Sequence, residues 1–74
     1  MINKSIYTEE YRYMVNRLKK ARVQAGLTQI EVSQLTGWSQ SNISKVESGQ
    51  LRLDVVQLKN YAVLYKKKLD YFVK

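Results

Sequence analysis

The 74-residue chain contains no cysteine, no histidine and no proline, and only 6 acidic residues stand against 13 Lys and Arg. Without cysteine there is no disulfide and no thiolate metal site. Without histidine there is no imidazole ligand and neither of the usual Ser-His and Cys-His nucleophile pairs. No enzymatic activity, metal or cofactor is therefore expected. No apolar run approaches the roughly 18 residues of a membrane span, and the opening MINKSIYTEEYR lacks the apolar core of a secretory signal. The expectation is a cytoplasmic protein with neither a membrane nor a small-molecule ligand as partner.

With proline absent, glycine is the remaining strong punctuator. Gly26, Gly37 and Gly49 stand 11 and 12 residues apart, each just after a segment of helical periodicity, where glycine takes the left-handed conformation that closes a helix. No stretch alternates at period two, so the chain reads as all-α. Its length leaves room for one domain, near the lower limit of what folds without disulfides or metals. The net charge of +7 and sequence pI near 9.8 attract polyanions, nucleic acid first among them.

After an arm over residues 1–7, the spacing predicts a first helix from about Thr8 to Ala25. Tyr7, Tyr11, Met14, Leu18, Ala21 and Ala25 recur at intervals of three and four and share one face. Arg22 lies in the same stripe, so its guanidinium needs a partner. Thr28-Gln-Ile-Glu31 reads as a capping box opening a second helix that stops at Gly37. Ser39 caps a third that stops at Gly49. A fourth opens at Asp54 and continues through Val55, Leu58, Tyr61, Ala62 and Tyr65, and a short fifth covers Leu69 to Val73.

Two helices of about eight to ten residues joined by Gly37-Trp38-Ser39 form a helix-turn-helix candidate. Val32, Ser33, Thr36, Gly37, Ile43 and Val46 place apolar or small residues where steeply crossing helices touch. On the third helix Ile43 and Val46 define the inward direction, while Gln40, Ser41, Ser44, Lys45 and Ser48 spread over the other side. Gln bonds adenine N6 and N7 in a bidentate way, Lys donates to guanine O6 and N7, and Ser serves a base or a phosphate. A merely solvated helix would more often pair Glu with Lys four residues apart.

LTQIEVSQLTGWSQSNISKVESG, Leu27 to Gly49, resembles the phage repressor and Cro-like (XRE-type) helix-turn-helix domains. ARVQAG before it and LKNYAVLYKKKLDYF after it extend the likeness to most of the chain. The resemblance implies a compact five-helix, lambda-repressor-like domain over residues 8–74, its third helix lying in the major groove of double-stranded DNA. It also implies a homodimer on a two-fold symmetric operator. Gln40, Ser41, Ser44 and Lys45 are then the base readers, and Gln29, Ser39, Ser48 and Arg52 the phosphate contacts. Gln29 and Arg52 are placed by the family pattern. Glu47, at the margin of the inward face, is the partner of Arg22, a pairing common in the family. Trp38 stands where relatives often carry a branched aliphatic residue, which points to partial packing beside the third helix.

The likeness has departures. Ile30 stands where a polar residue is frequent, Ser33 where alanine is usual, and Lys66 where a helix-ending glycine is common. Lys66 to Lys68 complement the dipole of the fourth helix. Leu69, Tyr71 and Phe72 offer apolar surface for a dimer, although Leu69 and Phe72 also suit a monomer core. The expected function is a sequence-specific transcriptional regulator. The alternative is a protein-interaction adaptor with Ile30, Leu35 and Trp38 as its surface, or an antitoxin-type module using the same fold.

Overall fold

A helix ends where its backbone groups lose their partners four residues away, and this chain places a capping residue at most such points. A computed structural model describes residues 4–73, with side chains from residue 9. Helix α1 spans Lys4–Gln24, α2 Gln29–Thr36, α3 Gln40–Glu47 and α4 Val55–Leu64, followed by a 3-10 turn over Leu69–Tyr71. The class is all-α. The fifth helix is corrected to that single turn, so the described residues hold four α-helices rather than five. Helix α1 begins at Lys4 rather than Thr8 and ends before Ala25, which is exposed. Residues 4–7 of the expected arm are thus helical, residues 1–3 lie outside the described residues, and the Tyr7 side chain lies outside those described.

Local chemistry accounts for the other ends. Thr28 Oγ1 accepts from the Glu31 amide at 3.1 Å while the Glu31 carboxylate accepts from the Thr28 amide at 2.9 Å, so two orphan donors are satisfied reciprocally. Asp54 and Gln57 form a second such box at the start of α4. Lys66 closes α4 in the left-handed region, at φ 57°, with the Lys67 amide donating back to Ala62 O at 2.8 Å. A lysine therefore takes the conformation usually left to glycine, at an intrinsic cost of about 1–2 kcal/mol, because the chain must reverse there to bring Phe72 under α4.

Every element contributes to one core. Leu18 and Ala21 of α1 meet Val32 of α2, Ile43 and Val46 of α3, and Leu58, Tyr61, Ala62 and Tyr65 of α4, with Phe72 closing the far side. Val15 is also buried, one position off the expected α1 stripe. Phe72 has no exposed surface, so its expected place in a dimer interface is corrected to the monomer core. Tyr71 is half-buried, held by Arg17, whose Nε donates to Tyr71 O at 2.8 Å and whose guanidinium stacks 3.7 Å above the ring. Lys67 approaches the same ring at 4.5 Å.

The buried tyrosines make stability fall at alkaline pH. Burial, reinforced by the charge of Glu47, pushes Tyr61 up to about 12, and burial beside Tyr61 and Glu47 raises Tyr65 further. An unfolded chain ionises its tyrosines near pH 10. Above that pH the unfolded state holds fewer protons than the folded one, so stability is expected to drop as pH rises, by at most about 1.4 kcal/mol per pH unit for each tyrosine. Below pH 10 the contribution is complete. The Tyr65 hydroxyl is buried without a hydrogen-bond partner among the described residues. Tyr65→Phe should therefore leave stability at neutral pH unchanged or higher by up to about 1 kcal/mol, and flatten the alkaline loss. Urea midpoints at neutral and alkaline pH measure both, and an unaltered pH slope in the variant would contradict the assignment.

Candidate nucleic-acid interface

The angle between α2 and α3 is set within six residues. Gly37 sits at φ 78°, its amide donating to Ser33 O at 2.8 Å. An added Cβ there would meet open space, so glycine is required by the backbone conformation alone. The Ser33 hydroxyl donates to Trp38 O. Thr36 Oγ1 donates to Val32 O and accepts from the Trp38 amide at 3.0 Å. Ser33, expected only to be small, thus ties α2 to the turn. Trp38 is half-buried with its ring 4.8 Å from that of Tyr61. Ser39 then opens α3, its oxygen accepting from the Asn42 amide at 3.3 Å.

Helix α3 is divided by its period. Ile43 and Val46 are buried, and Gln40, Ser41, Asn42, Ser44, Lys45 and Ser48 are exposed. The side chains of Ser41, Ser44 and Lys45 make no hydrogen bond or ion pair with other described residues. Lys45, in the last turn, also complements the helix dipole. Asn42, which the sequence did not single out, flanks this face and borders a depression of about 290 Å³ between Trp38, Leu51 and Tyr61.

Behind that face runs a polar chain linking three helices. Arg22 Nε donates to Glu47 Oε2 at 2.7 Å and Arg22 Nη2 to Oε1 at 3.0 Å. Arg22 Nη1 donates to Leu27 O at 2.8 Å. Gln29 Nε2 donates to Glu47 Oε1 at 3.1 Å, and Gln29 Oε1 accepts from Gln40 Nε2 at 3.1 Å. The Glu47 side chain is only 4% exposed and that of Arg22 11%. The bonds to Glu47 hold the Arg22 guanidinium above its usual pKa against the opposing effect of burial. Glu47 ends α3, where the helix's own dipole disfavours an anion, so its paired state depends on Arg22 and Gln29.

The remaining candidates fall at the edges. Gln29, expected at a phosphate, has its carboxamide engaged between Glu47 and Gln40. The Ser48 hydroxyl donates to Lys45 O at 3.0 Å. Arg52 is exposed in the loop after α3, its guanidinium 5.3 Å over the Tyr11 ring. The sequence signal for the Gln29–Gln40 bond is slight: two glutamines, each opening a helix.

A family model described as helix-turn-helix matches residues 18–72, well over half of the chain. The chain belongs to the XRE-type helix-turn-helix family. This XRE-type domain is Cro/repressor-like in its helix-turn-helix and is that of a DNA-binding regulator. The match begins at Leu18, so most of α1 precedes the part of the XRE-type domain that the family model covers. No curated protein and no solved structure shows significant similarity to the chain. Among the described residues, no helix of the XRE-type domain is long and apolar enough to cross a membrane.

Proposed function

We propose that the protein is a cytoplasmic, sequence-specific regulator that lays α3 in the major groove of an operator and acts by occupying it. One observation carries this reading: the outward face of α3 presents Gln40, Ser41, Ser44 and Lys45 to solvent, and no described segment of the chain covers it. Gln40 spends one amide hydrogen on Gln29, and its carbonyl and second hydrogen can still meet adenine N6 and N7. The bond to Gln29 also restrains its rotamers before binding, which lowers the ordering cost. Ser39, Ser48, Arg52 and the start of α2 surround this face as phosphate contacts. A homodimer would place two such faces about 34 Å apart on a palindromic site. With Phe72 inside the core, its apolar contacts come from Val63, Leu69 and Val73, which are exposed.

Selection of bound duplexes from a random pool tests the proposal, with one enriched palindrome expected. Lys45→Ala should cost about 1–3 kcal/mol on the selected site and relax preference at one base pair. Arg52→Ala should weaken all sequences alike. Equal losses on every duplex from Lys45→Ala would reassign that lysine to the backbone. Absence of any enriched duplex would favour the adaptor reading, whose surface is now Ile30 and Leu35, both well exposed, because Trp38 packs against Tyr61.

A further inference from the structure

The loop that follows α3 is pinned from two directions. On one side the amides of Gln50 and Leu51 donate to Lys45 O at 2.9 and 3.1 Å, so the loop is referenced to the last turn of α3. On the other, Leu51 O accepts from the Tyr11 hydroxyl at 3.3 Å, and the guanidinium of the next residue, Arg52, lies 5.3 Å over the Tyr11 ring. Tyr11 sits in the part of α1 that precedes the family match, some forty residues away in sequence from the loop it touches.

We infer that Tyr11 is a positioning residue for DNA binding: its ring and hydroxyl hold Arg52 at the phosphate-facing edge of the recognition helix. The inference rests on the phosphate role proposed for Arg52. An arginine on an exposed loop has many rotamers, and binding a phosphate fixes them at a cost. A ring beneath the guanidinium orders the side chain in a way compatible with phosphate binding, because the cation meets the π face whereas the hydrogen bonds of a guanidinium lie in its own plane. The hydroxyl bond to Leu51 O fixes the backbone from which Arg52 extends. Both contacts come from one tyrosine, so the N-terminal half of α1 acts on the interface through the loop and need not itself touch DNA.

The test is a double-mutant cycle between Tyr11 and Arg52, read by fluorescence anisotropy on a mixed-sequence duplex over a series of salt concentrations. Tyr11→Ala should weaken binding roughly two- to fivefold, the size of an exposed cation–π contact. It should also reduce the salt slope toward that of Arg52→Ala, which itself loses about 0.9. Tyr11→Phe keeps the ring and should retain most of the affinity. In the Arg52→Ala background, Tyr11→Ala should have no further effect. Circular dichroism melts accompany each variant, and Tyr11→Leu, which keeps the apolar bulk without the π face, replaces Tyr11→Ala if the latter does not fold. If Arg52→Ala is impaired but the two losses add, or if Tyr11→Leu binds with the wild-type salt slope, the positioning role is overturned and the phosphate role of Arg52 stands. If Arg52→Ala binds every duplex normally, both fall together.

Discussion

Glu47→Ala is expected to lower the melting temperature by more than about 10 °C and to abolish sequence-selective DNA binding. The carboxylate receives both forks of Arg22 and the amide of Gln29 while almost wholly shielded from water. Its removal leaves a guanidinium with one carbonyl partner and a carboxamide hydrogen with none. Breaking one half of a buried ion pair costs about 3–5 kcal/mol, against a total stability of roughly 4–11 kcal/mol for a domain of this size. At roughly 4–8 °C per kcal/mol, the melting curve must shift visibly, and a normal melting temperature would refute the account. The informative comparison is Arg22→Met with Glu47→Leu. Replacing both charges with apolar groups is often neutral or stabilising, so the double variant should recover most of the melting temperature. It should not recover selectivity, because Gln29 would lose the anchor that holds it against Gln40.

Phe72→Ala should cost about 3–5 kcal/mol, the range for emptying a fully buried aromatic site. Phe72 is the largest of the fully buried side chains, and its ring meets that of Tyr71 edge-on at 5.2 Å. Only the short segment after α4 carries it, so neighbouring elements have little freedom to collapse into the space. Denaturant titrations at several protein concentrations separate this role from dimerisation. The loss should be the same at every concentration for Phe72→Ala. Leu69→Lys and Val63→Lys, on exposed positions, should instead leave the monomer's stability within about 0.5 kcal/mol and weaken self-association. A concentration-dependent loss from Phe72→Ala would return that residue to the subunit interface.

Legibility in the sequence follows the range of the interaction. Thr28, Ser39 and Asp54 cap residues only three positions further on, and the two faces of α3 repeat within a single turn, so both can be read from a string of letters. The start of α1 at Lys4 rather than Thr8 is not legible in the same way, because the spacing of three and four that marks the helix from Tyr7 onward does not show how far the helix extends before it. Lys66 shows the opposite case, in which the need to turn Phe72 inward overrides a local preference. The fate of Gln29 was equally hidden. A carboxamide at the start of α2 suits a phosphate, and only the approach of Glu47 from α3 shows where it is engaged.

From its letters alone, the protein is all-helical, carries a helix-turn-helix unit and turns a polar face outward on α3, because period and capping act within about four residues; the likeness to repressor-type domains rests on the residues from Leu27 to Gly49. Tertiary structure alone decided that Gln29 joins Glu47 to Gln40, that Phe72 belongs to the core, and that Tyr11 lies under Arg52. Gln29 lies 11 residues from Gln40 and 18 from Glu47, Tyr11 lies 40 from the Leu51 carbonyl it bonds beside Arg52, and the place of Phe72 depends on how the chain reverses after α4; which of several suitable partners a side chain meets is settled only when the helices pack.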